Sequence, residues 1–256
     1  MSYGIEHEGV TNTFAQVDVH TAVDSDIIPF SHTTVGGDDV FMFIFTSWAG
    51  INATAPFISL LDYDLQDIVI QGAGNGNSSI AQYDNHISGP PAGTKSGRLR
   101  LSPVGFEATY SVCITCWTFT GVRPAAFLGD NDMYGNPFSL QSGASPKHPT
   151  GDIILNVTAT AQDRIAVCNV AYKPTSPTYQ MPIPTIPRMQ EKHKANSGFS
   201  SPTLGVMGAF IKQAPGTANF RWLDEPGSQA RTLYGYEIYP KPAPAESGYP
   251  NLQSFY

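Results

Sequence analysis

Short apolar and β-branched runs alternate along the chain with clusters of Gly, Pro, Asn and Asp. The most apolar run, VFMFIFTSW at 40–48, has the length of a strand, and GDIILNVTATAQDRIAVCNVAY at 151–172 has the pattern of a hairpin. Many short strands separated by turn residues predict an all-β sandwich or barrel. We expect strands at Phe14–Val19, Val40–Trp48, Phe57–Leu61, Asp67–Gln71, Gln82–Ser88, Arg98–Ser102, Ala108–Phe119, Asp152–Thr160, Ile165–Ala171, Leu204–Ile211, Ala218–Leu223 and Thr232–Ile238.

Helical periodicity is nearly absent from the chain. The segment 187–196, which holds the basic cluster RMQEKHK, is the one stretch that could form a helical turn or two. No internal repeat is visible, and the Pro-rich stretch KPTSPTYQMPIPTIPR at 173–188 is best interpreted as a long excursion within one sandwich. We therefore predict a single antiparallel β-sandwich domain of jelly-roll type over residues 1–240.

The composition changes after Pro240, where KPAPAESGYPNLQSFY forms a Pro-rich tail at 241–256. Terminal segments are normally poorly ordered unless something holds them. We therefore expect an extended C-terminal tail that contacts neighbouring subunits or partner proteins. The residues expected to make these assembly contacts are Tyr249, Leu252, Phe255 and Tyr256.

Charged residues make up only 14% of the sequence, whereas a typical soluble domain has roughly 25%. The net charge is −7 and the basic cluster is interrupted by Glu191, so the sequence lacks the basic face of a nucleic-acid-binding protein. No run approaches the ~20 apolar residues that span a bilayer. The N-terminus also lacks the pattern of a secretory signal. We expect synthesis in a cytosol, with no nucleic-acid or membrane partner.

Cys113 and Cys116 form a Cys-x-x-Cys motif in the run SVCITCWTF, which could be a redox dithiol, half of a zinc site or part of a buried strand. Side chains alternate faces along a strand, so residues three apart point to opposite sides. Two thiolates on opposite faces cannot bind one zinc ion, and a redox pair needs a following helix. We therefore interpret Cys113, Cys116 and Cys168 as buried structural residues. Trp117 and Phe119 are expected to fill one face of the same strand.

Two acidic stretches, LDYDLQD at 61–67 and GDNDMYGN at 129–136, are candidates for a carboxylate site. Paired carboxylates serve glycosidases and bind calcium. The second stretch begins as a calcium loop does, but Tyr134 stands where a third oxygen ligand belongs, and no Glu closes the loop. Turn-forming Asp and Asn residues explain both stretches without a ligand. The alternatives are calcium binding and a glycosidase that uses Asp62, Asp64, Asp130 or Asp132.

The common enzyme signatures are missing from the sequence. The six histidines show no His-x-x-x-His spacing, no Gly-x-Ser-x-Gly elbow is present, and QGAGNGNSS at 71–79 lacks the Lys of a P-loop. We expect no catalytic residue, no metal and no cofactor. Exposed aromatic residues could form a sugar-binding platform, although strand alternation favours a core role. The candidates for that platform are Trp48, Trp117, Trp222, Tyr234 and Tyr236.

A succession of segments along the chain resembles a known group of proteins. These segments are TTVGGDDVFMFIF (33–45), ISGPPAGTKSGRLRL (87–101), YSVCITCWTFTGVRPAAFLG (110–129), the stretch 151–172, and ANFRWL with LYGYEIYP (218–240). Their order is similar to that of the β-sandwich modules, jelly-roll or lectin-like, of tailed-phage structural proteins and some bacterial surface proteins. The resemblance implies a role at a virion surface, such as head decoration, spike, fibre or tail component, and brings no catalytic residues to transfer.

We therefore expect a non-enzymatic virion structural protein, a capsid-surface (decoration, cement or spike) protein of a tailed phage that is assembled in the host cytoplasm. Its partners would be the major capsid protein, other virion proteins and copies of itself, with a trimer as the natural form of a spike. One alternative is the jelly-roll capsid subunit of a small icosahedral virus, which usually has a longer and often basic N-terminal arm. Another is a carbohydrate-binding adhesin that recognises a host-surface glycan.

Overall fold

β-Strands account for all the regular structure that the computed structural model describes, so the predicted all-β class is confirmed. The described residues are 4–19, 27–50, 58–68, 75–77, 80–101, 108–123, 138–144, 153–159, 164–174, 181–199, 202–212, 216–223 and 230–241. The strands are β1 (Glu6–Val19), β2 (Ile27–Thr34), β3 (Phe41–Gly50), β4 (Ile58–Tyr63), β5 (Gln66–Asp67), β6 (Asn75–Asn77), β7 (Ile80–Ser88), β8 (Gly93–Leu101), β9 (Ala108–Thr120), β10 (Phe138–Ala144), β11 (Ile153–Ala159), β12 (Ile165–Lys173), β13 (Ile183–Pro184), β14 (Gln190–Asn196), β15 (Gly205–Lys212), β16 (Gly216–Leu223) and β17 (Ala230–Ile238).

The strands form four antiparallel sheets. In the first half of the chain, an inner N-terminal sheet has the order β1-β9-β3-β7-β6, and an outer N-terminal sheet has the order β2-β8-β4-β5. In the second half, an inner C-terminal sheet has the order β10-β17-β12-β15-β14, and an outer C-terminal sheet has the order β11-β16-β13. This arrangement is consistent with the predicted β-sandwich architecture.

Buried side chains fill the space between neighbouring sheets, which stack in the order outer, inner, inner, outer. The core between the two N-terminal sheets, called the first core, includes Phe30 and Ile44. The core between the two C-terminal sheets, called the second core, includes Val170 and Trp222. We call the interface between the two inner sheets the seam. Its buried apolar residues are Ile5, Phe41, Phe43, Phe45, Ala49, Ile80, Cys113, Trp117, Phe119, Val122, Ile165, Val167, Ala171, Leu204, Val206, Phe210, Tyr234, Tyr236 and Ile238.

The middle strands of the inner N-terminal sheet are buried on both faces. All ten residues of β3 are buried, and the side chains of β9 alternate between the first core and the seam. Burial on both faces explains why these strands are continuous apolar runs in the sequence. The outer strand β2 instead exposes every second residue, as expected for a sheet with one face in water.

The two halves of the chain repeat one strand order. Strands β1, β2, β3, β4, β6, β7, β8 and β9 correspond to β10 through β17 in sequence. Each antiparallel ladder of the first half has a counterpart in the second, apart from the short β4–β5 ladder. The sequence shows no such repeat, because the same strand order requires only that each strand has residues of suitable polarity at its inward and outward positions. Many different sequences satisfy that pattern.

The predicted helical turn at 187–196 is wrong. Residues Gln190–Asn196 form the edge strand β14, which pairs with β15. His193 is buried in the seam, whereas the neighbouring Lys192 is exposed. Alternation of this kind has the period of a strand, and charged side chains are typical of strands at a sheet edge.

The predicted hairpin at 151–172 is also wrong, although both of its strands exist. Strand β11 lies in the outer C-terminal sheet and pairs with β16, whereas β12 lies in the inner sheet between β15 and β17. The chain therefore crosses from one sheet to the other between them. Strand β2 is absent from the predicted strands, because Pro29 and the polar residues around it conceal its alternating burial.

The single domain over residues 1–240 and its jelly-roll type stay predictions. Described strands of the two halves share no sheet, yet the seam buries side chains from both. The end of the described chain returns to the first half, because Val122 bridges Pro240 and the Lys241 N–H donates to the Gly121 carbonyl at 2.8 Å. The remainder of the predicted tail lies outside the described residues.

Candidate functional site

The seam is built of aromatic rings at one end. The centroids of the Phe43 and Tyr236 rings lie 4.7 Å apart. The Tyr236 hydroxyl donates to the Asp84 carboxylate, and the Tyr234 hydroxyl donates to the Gln82 carbonyl at 3.3 Å. Burial, together with the Asp84 charge, raises the pKa of Tyr236 well above its usual value. The tyrosine therefore remains a neutral donor that connects β17 with β7.

The other end of the seam holds a chain of polar side chains from both halves. The Thr115 hydroxyl donates to Asn12 Oδ1 at 2.7 Å, and Asn12 Nδ2 donates to His193 Nδ1 at 3.4 Å. His193 Nε2 then donates to Asn169 Oδ1 at 3.0 Å. Each donor and acceptor is consistent with a neutral imidazole that carries its proton on Nε2. The chain links the two inner sheets in one relative position.

Gly208 makes the contact between His193 and Asn169 possible. It lies on β15, directly between His193 on β14 and Asn169 on β12. A Cβ at this position would overlap His193 Nε2 and lie 2.7 Å from Trp117 Cζ3. Sequence reasoning missed this site, although an Asn in the apolar run IAVCNVAY was a signal that a partner is buried with it.

Burial, with a smaller contribution from the nearby His7, lowers the pKa of His193 to about 3. The pKa of His7 is also lowered, first by burial and then by the charge of Lys192. Both imidazoles are therefore uncharged at neutral pH. The His7 ring stacks on Phe210 with a centroid separation of 5.9 Å, so at neutral pH the histidines act as packing and hydrogen-bonding groups.

Several buried polar atoms along the seam have no hydrogen-bond partner among the described residues. They include Ser47 Oγ, the Gln82 side-chain amide, Asn169 Nδ2 and Trp117 Nε1. A buried group left unsatisfied costs about 1–3 kcal/mol.

His32 connects the two N-terminal sheets in a similar way. Its Nδ1 lies 2.9 Å from the Thr11 hydroxyl on β1, and its Nε2 lies 2.7 Å from the Thr118 hydroxyl on β9. Its backbone carbonyl accepts from the Tyr63 hydroxyl at 3.0 Å. Burial lowers the pKa of His32 to about 4. This histidine is a satisfied core residue that ties β2 to the inner sheet.

The three cysteines of the chain are free and fully buried. Cys113 faces the seam and Cys116 faces the first core, so the two thiols of the Cys-x-x-Cys motif point in opposite directions. Cys168 belongs to the second core. Burial raises the pKa of Cys113 to about 12 and raises those of Cys116 and Cys168 as well. Trp117 and Phe119 fill the seam face of the same strand.

The carboxylates of the first acidic stretch form ion pairs with β8. Buried Asp62 accepts from Arg98 Nε at 2.9 Å and from Nη2 at 2.5 Å. Asp64 lies in the turn between β4 and β5 and pairs with Lys95 at 3.5 Å. These pairs account for the two acids as structural groups. The other acids of the glycosidase and calcium alternatives, Asp130 and Asp132, lie outside the described residues.

The aromatic candidates for a sugar-binding platform are core residues. None of them is more than 3% exposed, so their rings cannot stack on a sugar at the surface. Among the described residues, no group of three or more His, Cys, Asp or Glu side chains is placed to hold a metal ion. The aromatic residues in question are Trp48, Trp117, Trp222, Tyr234 and Tyr236.

The outer C-terminal sheet carries a row of exposed apolar side chains that sequence reasoning missed. Ile154 is 50% exposed, Ile183 is 46% exposed and Leu223 is 36% exposed. Ile154 lies opposite Arg221 on β16, and Ile183 lies opposite Leu223. The signal in the sequence was the alternation of β11 and β16, whose outward positions include large apolar residues.

The predicted assembly residues of the tail, Tyr249, Leu252, Phe255 and Tyr256, lie outside the described part of the chain. Within the basic cluster at 188–194, residues 190–194 belong to strand β14 and not to the expected helical turn. Its Lys194 pairs with Glu191 at 3.0 Å, and Lys192 lies over the Phe210 ring at 5.1 Å.

No family model matches the chain, and a search of curated proteins finds no match. Within the described ranges, no helix is long and apolar enough to cross a membrane.

We predict that Gly208→Ala lowers the free energy of unfolding by at least about 2 kcal/mol, because the new methyl group must displace His193 and Trp117. Chemical denaturation of the purified chain measures the change. Gly9→Ala on β1 is the control, since a Cβ there meets no atom within 4 Å, and we expect a change within about 0.5 kcal/mol. Equal losses for the two variants would contradict the close approach at Gly208.

We predict that His193 makes the protein less stable in acid. Its pKa is lowered from 6.5 to about 3 on folding, so below pH 6.5 the unfolded chain binds a proton that the folded chain excludes. Stability is therefore complete above the unfolded pKa and falls as the pH drops toward the folded one, by up to about 1.4 kcal/mol per pH unit. In His193→Gln this contribution disappears, and denaturation curves between pH 6 and 4 should show a shallower fall. Parallel curves for the two proteins would show that His193 does not contribute.

We predict that Cys116→Ser destabilises the protein more than Cys113→Ser does, by about 1 kcal/mol or more. The Thr115 hydroxyl lies 3.7 Å from Cys113 Sγ and offers a partner to a new hydroxyl, whereas Cys116 belongs to the apolar first core. Denaturation of both variants, with the Cys→Ala variants as controls for lost volume, gives the comparison. Neither variant should lose a metal or a redox activity, and such a loss would revive the zinc or dithiol interpretation.

Proposed function

We propose that this chain is a non-enzymatic structural protein of a virion, a capsid-surface (decoration, cement or spike) protein of a tailed phage. Each half of the chain is a jelly roll in this proposal. The protein acts through contacts with the major capsid protein, other virion proteins and further copies of itself. It is assembled in the host cytoplasm and resides in the virion.

The observation that carries the proposal is the repeated strand order. In the first half, β9 lies between β1 and β3 in the inner sheet, and β8 lies beside β2 in the outer sheet. In the second half, β17 lies between β10 and β12 in the inner sheet, and β16 lies beside β11 in the outer sheet. This is the order expected when a chain folds as a jelly roll, an architecture that recurs in viral capsid and lectin domains. The step from this architecture to a virion is an analogy of fold, and it agrees with the resemblance of the sequence to phage β-sandwich modules.

The described surface also supports a role in assembly. The outer N-terminal sheet presents neutral hydroxyl groups, and those of Thr33 and Thr94 lie 2.7 Å apart on neighbouring strands. The outer C-terminal sheet presents Ile154, Ile183 and Leu223. Arg98 and Arg221 lie on the same two faces. Hydroxyl and apolar side chains around them can bind other proteins through shape and buried area, and stable assemblies bury on the order of 2,000 Å² or more per contact.

The interior of the protein is occupied by packed side chains at all three interfaces between sheets. Among the described residues, this leaves the outer faces and the sheet edges for binding, and the proposal adds the C-terminal tail. In this proposal Tyr249, Leu252, Phe255 and Tyr256 hold the tail against a neighbouring subunit. The adhesin alternative loses its main support, since its aromatic candidates are buried.

We expect the protein in purified particles from the source of the sequence, at a fixed ratio to the major capsid and portal proteins. Quantitative mass spectrometry of gradient-purified particles measures that ratio, and a non-virion protein from the same cells is the control for contamination. A particle whose whole shell consists of this chain would favour the small icosahedral virus. Absence from particles would overturn the proposal, and glycan-array binding in that case would favour the adhesin.

A further inference from the structure

Open sheet edges present unpaired backbone N–H and C=O groups, and proteins usually protect them with charges, proline, bulges or short strands. Most edge strands of this protein carry such protection. Strand β14 has charged side chains, and β1 carries Glu6, Glu8 and Asp18. Strands β5, β6 and β13 are two or three residues long, and β10 has a register shift between Leu140 and Ser142.

Strand β11 differs from all of these edges. Its sequence, IILNVTA, contains no charged residue and no proline. It pairs with β16 without a register shift over its whole length, and no other described strand pairs with it. Residues 153–158 alternate between the second core and the outside, with Ile154, Asn156 and Thr158 pointing outward. The strand is therefore regular in register and free of the features that block pairing.

The counterpart of β11 in the first half shows the contrast. Strand β2 occupies the same place in the strand order, but Pro29 lies near its middle and cannot donate a backbone hydrogen bond. The Glu8 carboxylate of β1 also accepts from the hydroxyl of Thr34, the last residue of β2, at 3.4 Å and from the N–H of Val35, which follows it. The first half thus protects this edge twice, whereas the described residues of the second half leave it open.

We propose that two copies of this chain associate through β11, edge to edge and antiparallel about a two-fold axis. A two-fold contact is self-complementary, so each residue on one copy meets its partner by symmetry. The strand spans Ile153–Ala159, and its central residue is Asn156. Asn156 therefore lies opposite Asn156 of the second copy, and Ile154 lies opposite Thr158 of the second copy.

The side chains on the outer face suit this register. Asn219 on β16 donates from Nδ2 to Asn156 Oδ1 at 2.7 Å, so the Asn156 Nδ2 group remains available to donate to a residue of a second copy. Pairing of two copies would extend the Asn219–Asn156 hydrogen bond into a row of hydrogen-bonded asparagine side chains that crosses both copies, and amide ladders of this kind stabilise paired strands. The two outer C-terminal sheets would join into one sheet, and their exposed rows of Ile154, Leu223 and Ile183 would lie on the same surface.

Pairing of two copies through β11 adds a defined contact to the proposed virion role but does not depend on that role. A chain that is found in particles yet stays monomeric in solution refutes the edge pairing alone. A chain that dimerises through β11 yet is absent from particles refutes the virion role alone.

Cysteine cross-linking of the full chain tests the register. The native cysteines are buried, so an introduced surface thiol reports on its own position. Under mild oxidation Asn156→Cys should form a covalent dimer at least about tenfold faster than Ile154→Cys or Thr158→Cys alone, because self-pairing of the latter two must span about 13 Å, beyond the reach of a disulfide. A mixture of Ile154→Cys and Thr158→Cys proteins should give the mixed dimer. Equal rates at all three positions, or no cross-link at Asn156→Cys, would overturn the proposal.

Sedimentation of lysine variants tests the interface without cross-linking. Asn156→Lys places like charges opposite each other and should raise the dimer Kd by at least about tenfold at low salt. Asn219→Lys is the matched control: it removes the same hydrogen bond one strand further from the edge, and we expect Kd to change less than about threefold. A wild-type chain that is monomeric at every concentration, or equal effects of the two lysines, would refute β11 as the interface.

Discussion

The two inner sheets bury both of their faces, and the rest of the structure depends on this constraint. One face of each sheet packs on an outer sheet, and the other packs on the opposite inner sheet across the seam. Strands in this position are buried along their whole length and are mostly apolar, as β3 is. The two outer sheets then carry the exposed outer faces of the stack, which is where contacts with other molecules can form.

The polar end of the seam sets the relative position of the halves. Contact between apolar side chains has no preferred direction, so it specifies the relative position of two sheets less sharply than hydrogen bonds do. Hydrogen bonds do have direction, and the chain from Thr115 through Asn12 and His193 to Asn169 is satisfied in one arrangement. Gly208 is part of this arrangement because the imidazole reaches Asn169 across it. The neutral state of His193 follows from its burial, so the same feature that positions the halves makes them sensitive to acid.

Repetition of one strand order has different consequences for the two halves. The equivalent edges β2 and β11 have opposite properties, because Pro29 and Glu8 protect the first while the second is uncharged and regular. The outer faces also differ, with hydroxyl groups such as Thr33 and Thr94 on one and Ile154 and Leu223 on the other. A duplicated architecture therefore presents two distinct surfaces for assembly.

The sequence by itself determined the strand class, the position of the long inner strands and the opposite faces of Cys113 and Cys116. These properties are local, because the period of a strand is read from neighbouring residues. Only the tertiary structure decided which strands pair, so the hairpin at 151–172 and the helical turn at 187–196 were predicted wrongly. It also revealed the repeated strand order, the seam and the partnership of His193 with Asn169. Which strands pair, and which side chains come into contact between sheets, depends on residues that are far apart in the chain. No local sequence pattern predicts such contacts.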